Sequence, residues 1–176
     1  MTRNKTPKNI FLIGFMGAGK TTVGKILAKR LGLNFIDLDE VIEKELNLTI
    51  REIFSRYGED FFRDAETKAL RSIADKDRYV IAAGGGVVLR KKNWQIMKPN
   101  GFTVYLRAPA EVLWTRVRNN ASRPLLQVEN PFDRLCELLS QRISQYEKAD
   151  LIVDTENVSP EHLALEIAEK MKNLLT

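Results

Sequence analysis

Residues 14–21 read Gly-Phe-Met-Gly-Ala-Gly-Lys-Thr and satisfy G-x-x-x-x-G-K-[ST] at every fixed position. The apolar run before them, residues 9–13, predicts a buried parallel strand, and residues 20–31 predict an amphipathic helix. Strand, glycine-rich loop and helix together give this motif its meaning. The glycines let successive backbone N–H groups turn inward on phosphate oxygens, and the helix start adds its positive dipole end. Gly17, Ala18, Gly19, Lys20, Thr21 and Thr22 are therefore the expected nucleotide-binding residues. Lys20 is expected to reach the terminal phosphates of a nucleoside triphosphate, and the Thr21 hydroxyl to serve Mg²⁺.

The rest of the chain alternates in the same way. Strand-length apolar runs fall at 34–37, 79–83, 102–106 and 150–153, and helical patterns at 39–46, 50–57, 60–74, 109–118, 132–147 and 160–175. Ser159-Pro160 supplies a capping hydroxyl followed by proline at the first helical position. The alternation predicts an α/β fold, a parallel sheet with helices on both faces, and ligands at the carboxyl ends of its strands. Residues 119–130 lack periodicity, and a connection of that length is usually functional or disordered.

Composition narrows the function. At 176 residues, with 29% charged and 44% apolar, the chain reads as one domain spanning 1–176. It has no apolar run of the ~18 residues needed to span a membrane. The basic start, Met1 to Lys8, runs straight into the first strand and leaves no room for a signal segment, so a cytoplasmic protein is expected. A net charge of +5 suits an anionic ligand. No Lys/Arg run exceeds three residues and none is interleaved with aromatics, so neither nucleic acid nor membrane is an expected partner, and a monomer is. The lone Cys136 is read as a buried structural thiol on a stripe with Phe132, Leu135, Leu139 and Ile143. His162, the only histidine, is read as a surface residue, which leaves no His-based catalysis or metal site.

Three further features carry chemistry. Asp37-Leu38-Asp39 ends the second strand, and in an extended segment both carboxylates face the same way. One can serve the Mg²⁺ shell and the other hold an acceptor hydroxyl and take its proton; alternatively, Asp39-Glu40 merely cap the following helix. Gly84-Gly85-Gly86 ends the third strand, where three glycines are costly unless a substrate approaches the backbone closely. Arg63, Arg116, Arg123 and Arg142 stand at positions where a planar guanidinium could receive phosphate or carboxylate.

With these residues in order, the chain resembles the shikimate kinase family over about residues 9–155. The resemblance rests on Gly14 to Thr21, Asp37-Leu-Asp39, Phe62-Arg63 with Glu66, Gly84 to Gly86, Arg123-Pro-Leu-Leu126, and Gln141-Arg142 with Tyr146. It implies an adenylate-kinase-like P-loop kinase of three α/β/α layers, with a five-stranded parallel sheet of order 2-3-1-4-5. It implies a substrate-binding segment near 38–66 and a lid near 119–130. The reaction implied is phosphorylation of the shikimate 3-hydroxyl by MgATP. Arg63 and Arg142 would hold the carboxylate, and Asp39 with Gly84, Gly85 and Gly86 the ring. Lys20, Asp39 and Arg123 would be catalytic, Thr21 and Asp37 would hold the metal, Arg123 would reach the phosphates and Arg116 would pack near the adenine. A gluconate-type kinase and a non-catalytic nucleotide-binding regulator are the competing readings.

Overall fold

The computed structural model describes residues 7–120 and 123–175. The expectations for Met1 to Thr6, for Ala121 and Ser122 within the long connection, and for Thr176 lie outside the described residues. Five strands form one parallel sheet: β1 (Asn9–Ile13), β2 (Asn34–Asp37), β3 (Tyr79–Ala82), β4 (Gly101–Arg107) and β5 (Leu151–Asp154). Their order is β2-β3-β1-β4-β5, as the resemblance implied. Every residue of β1 is buried, because strands lie on both its edges and helices on both its faces.

Seven α-helices are present among the described residues: α1 (Lys20–Leu31), α2 (Leu38–Leu46), α3 (Ile50–Ala74), α4 (Lys91–Asn100), α5 (Ala110–Val117), α6 (Pro131–Tyr146) and α7 (Pro160–Leu175). The step from β1 to β2 runs one way along the sheet and every later step the other. With right-handed crossovers, this sends α1 to one face and the helices between later strands to the opposite face. Accordingly α1 packs with α7, whereas α3 packs with α4 and α5 with α6. Phe11, Leu12, Ile13, Leu27, Leu70, Ile81, Val104 and Ile167 meet in the continuous core. Each such side chain, fully buried, contributes about 1.5–3 kcal/mol.

Register sets the working end. Leu12 and Asp37 both pair with Ala82, so β1, β2 and β3 finish at one level. The glycine-rich loop, Asp37 and the glycine triplet therefore leave the sheet side by side.

Helix α4 was not expected from the sequence. It has no side-chain N-cap and carries Pro99 in its last turn, and its inward face includes the polar Asn93 beside Trp94 and Met97, so apolar periodicity is weak. The helical patterns at 50–57 and 60–74 both form, and together they make up α3. Gly58, at φ 83° and ψ 176°, breaks α3 between them. Cys136 is a correction as well: it is only half-buried, and Ile143 is exposed. The buried face of α6 is Leu135, Leu138, Leu139, Arg142 and Tyr146, which leaves the thiol on its flank.

Candidate active site

The glycine-rich loop bends back on itself, with Ala18 N–H donating to Phe15 O at 3.1 Å. Gly19 precedes α1 at φ 93°, a left-handed conformation that a residue with a Cβ would resist. Lys20 Nζ donates to the loop's own carbonyls, Gly14 O at 2.5 Å and Phe15 O at 3.0 Å. Its surroundings hold the ammonium's pKa down to about 8: desolvation is the largest cause, and Arg123 and Arg142 also lower it, against the raising effect of Asp39 and Asp37. A lysine so placed gains from an arriving anion.

Asp37 joins two elements. Its Oδ2 accepts from Thr21 Oγ1 at 2.7 Å, and its Oδ1 accepts from Asp39 N–H at 2.9 Å as the N-cap of α2. This corrects the expectation of an extended Asp-x-Asp. Asp39 lies in the first turn of α2, yet both acids still line the same cavity. The capping alternative is thus real, but it belongs to Asp37 and leaves its second oxygen for the loop. Asp39 Oδ1 is buried with no hydrogen-bond partner, and its carboxyl pKa is raised, first by desolvation and then by Asp37.

The opposite wall comes from α3. Arg63, 6% exposed, donates from Nη1 to Glu66 Oε1 at 3.0 Å and from Nη2 to Glu59 Oε1 at 3.3 Å, while its Nε has no partner. Glu66 is wholly buried; its Oε2 is also without a partner, and burial raises its pKa. The glycine triplet fits around these groups. A Cβ on Gly84 would stand 2.6 Å from Glu66 Oε2 and 3.1 Å from Asp39 Oδ1, and one on Gly86 would overlap the Arg63 guanidinium. Two of the three glycines therefore make room for the protein's own charged groups, a reason the sequence reading did not supply. Gly85 O accepts from Tyr146 OH at 2.5 Å, and Tyr146 stacks on Tyr105 with centroids 4.9 Å apart. Arg142, 3% exposed, comes from the same α6 face and lies 5.5 Å over the Phe15 ring.

The long connection returns to the cavity through a short 3-10 turn, Pro124–Leu126, that packs against α3 and α6. Arg123 stands at its start, with Nε buried and without a partner.

One cavity of about 650 Å³ collects most of the residues expected to form the site: Gly17, Gly19, Lys20, Thr21, Thr22, Asp37, Asp39, Arg63, Gly84, Gly85, Gly86, Arg123 and Arg142. Two stand apart from its lining. Ala18 is buried in the core, and Arg116 donates to Gly17 O at 3.0 Å and to Thr155 Oγ1 at 3.3 Å, bridging the loop to the exit of β5. Glu66 and Tyr146 had been noted only as parts of a motif. Glu66 follows Arg63 by three residues, a helical spacing for an ion pair that does signal the contact. Nothing in the sequence pairs Tyr146 with Gly85.

The assembled chemistry is an anion loop, buried carboxylate oxygens and two buried guanidinium groups lining one cavity. That combination accommodates a polyphosphate and a hydroxylated acid together.

A family model described as shikimate kinase matches residues 16–172. A shikimate kinase of Thermodesulfovibrio yellowstonii is 52% identical over 167 residues, 95% of this chain and 96% of that one. A solved structure of shikimate kinase from Acinetobacter baumannii in complex with shikimate is 40% identical, with a TM-score of 0.93 over 96% of this chain and 94% of that chain. A gluconokinase from Sinorhizobium meliloti, at 19% identity and a TM-score of 0.59 over 97% of each chain, shares the fold alone.

Proposed function

This chain belongs to the shikimate kinase family, and from that premise we propose how its cavity works. The protein is a transferase that phosphorylates a hydroxyl of shikimate with ATP as co-substrate. What supports the detailed reading is the unpartnered buried set of Asp39 Oδ1, Arg63 Nε, Glu66 Oε2 and Arg123 Nε, since buried polar groups are rarely left without hydrogen bonds.

Arg63 Nε and the Arg142 guanidinium receive the acceptor's carboxylate. With the acid end fixed there, Asp39 holds the 3-hydroxyl, the backbone of the glycine triplet supports the ring, and the hydroxyl faces the glycine-rich loop. Lys20, Thr22 and the loop N–H groups hold the phosphates, and Arg116 lies at the adenine end. As the terminal phosphoryl group moves, Lys20 and Arg123 offset its charge and Asp39 takes the hydroxyl proton. Phosphoryl transfer depends mainly on such positioning and charge compensation, so no strong base is required. The raised pKa of Asp39 suits it to accept a proton late.

The donor set fits Mg²⁺. Thr21 offers a hydroxyl beside the Asp37 carboxylate, and among the described residues no group of three or more His, Cys, Asp or Glu could hold an ion alone. A magnesium ion takes few protein ligands and several from phosphate and water. Thr21 and Asp37 would hold it, and it would supply positive charge to offset that of the phosphates.

Residues 38–66 are the acceptor-binding segment and 119–130 the lid of one domain, which works as a cytoplasmic monomer on small molecules, apart from nucleic acid and membrane. No helix among the described residues is long and apolar enough to cross a membrane. The gluconate-type alternative does not account for two buried guanidinium groups, and the regulator alternative does not account for Lys20, Asp39 and Arg123 facing one cavity. An ADP-release assay with MgATP tests the reading. ADP formation with shikimate, and little with quinate or gluconate, is expected; equal turnover of gluconate would contradict it.

A further inference from the structure

Arg63 holds two carboxylates, and they are not equivalent. Glu66 has no exposed surface, sits three residues on in the same helix, and cannot leave without abandoning a buried charge. The Glu59 side chain is 46% exposed and touches Nη2 from the rim at 3.3 Å. Glu59 also follows Gly58 directly, at the break where α3 departs from helical geometry, so no continuous helix locks it from the N-terminal side. Glu66 alone matches the guanidinium charge. A second carboxylate on the same group is in excess of its charge, and it is the one that can move into water.

We infer that Glu59 is an internal stand-in for the substrate carboxylate. Its carboxylate sits at Arg63 Nη2, where it opposes an incoming one, so it weakens every acid held at Arg63 by a similar factor and favours those that other contacts also hold. A planar guanidinium best receives a carboxylate through two parallel N–H donors. Nε is free for one of these bonds. The neighbouring Nη2 has a second N–H to offer, but the Glu59 carboxylate beside it repels an incoming one until it swings outward. An acceptor whose ring is also held at Asp39 and the glycine triplet can compensate for displacing Glu59. A simple carboxylate with no such contacts cannot, and is turned away. Glu59 thus acts on carboxylate affinity through Arg63 and takes no part in the transfer step.

The inference rests on Arg63 being the seat of the acceptor carboxylate, and the experiment separates the two ideas. Glu59→Gln keeps the side chain's size and removes its charge. Exposed pairs of this kind are weak, so the KM for shikimate should fall about two- to five-fold, with the KM for ATP and kcat close to wild type. Benzoate, used as a planar carboxylate without ring hydroxyls, should become a stronger competitive inhibitor by about the same factor. Methyl shikimate, which carries no carboxylate charge, should show no gain. A raised KM for shikimate in Glu59→Gln, with an unchanged melting temperature, would mean that Glu59 orients Arg63 for the substrate, and would overturn the inference. An unchanged KM for shikimate together with unchanged benzoate inhibition would also overturn it. Arg63→Ala serves as the control: if it leaves the shikimate KM unaltered, the carboxylate is held elsewhere and the underlying assignment fails first.

Discussion

Gly86 lies flat against the Arg63 guanidinium, so close that a Cβ would overlap Cζ and both terminal nitrogens. The third glycine of the triplet thus serves the arginine that α3 brings across the cavity. Gly86→Ala should push that guanidinium off Glu66 and out of reach of the substrate carboxylate. Losing a charge-assisted hydrogen bond costs about 1.5–3 kcal/mol, so the KM for shikimate should rise about ten-fold or more. The nucleotide loop lies on a neighbouring strand, and the KM for ATP should stay within about two-fold. Steady-state kinetics varying each substrate in turn will decide. An unchanged shikimate KM would mean that Arg63 does not need this seat.

Lys20 gives a pH signature in the unliganded protein. Its folded pKa is about 8 against an ordinary 10.5. Between these values the unfolded chain binds more protons than the folded one, so this group makes stability rise with pH. The penalty is complete below pH 8 and fades towards pH 10.5. Lys20→Met removes the titration. The melting temperature of the variant minus that of wild type should therefore be largest near neutral pH and shrink as pH rises through that window. For a domain of this size each kcal/mol is worth about 2–4 °C. A constant difference from pH 7 to pH 10 would show that Lys20 is not held at a lowered pKa. The same variant should lose nearly all transfer activity.

The two aspartates should separate on magnesium. Asn is as good an N-cap as Asp, so Asp37→Asn keeps the bond from Asp39 N–H and removes only the charge beside Thr21. Its defect should be relieved in part by added Mg²⁺. Asp39→Asn can still bond a hydroxyl but cannot accept its proton, so its loss should fall on kcat and resist added Mg²⁺. A titration at saturating ATP checks both, and rescue of Asp39→Asn alone would reverse the two roles.

How the sequence foretold this site, and where it did not, follows from the range of the interactions involved. The loop at 14–21, the alternation of strands and helices and the break between the helical patterns at 50–57 and 60–74 are local signals, set by glycine, proline and apolar spacing. Asp37 and Asp39 both reach the cavity, but not along an extended segment as expected: the helix begins between them. The fit of Gly84 to Glu66 and Asp39, of Gly86 to Arg63, and the bond from Tyr146 to Gly85 join segments far apart in the chain. Nothing in the local sequence encodes those distances. Helix α4 went unseen because its inward face carries Asn93, whose Nδ2 donates to Val87 O at 2.8 Å and whose Oδ1 accepts from Thr67 Oγ1 at 2.8 Å. A polar residue satisfied in the core breaks the pattern by which a helix is recognised.

The assignment of Arg63 as the seat of the substrate carboxylate is tested by a cycle of two enzymes and two acceptors. The kcat/KM for shikimate and for its methyl ester is measured with wild type and with Arg63→Ala. With the free acid, the substitution should lower kcat/KM by about 10- to 150-fold, the worth of one charge-assisted hydrogen bond. With the ester, whose carboxylate is masked, most of that dependence should vanish, and wild type should itself use the ester poorly. Equal losses for acid and ester would contradict the account, because Arg63 would then act on the fold or on the transfer step and not on the carboxylate.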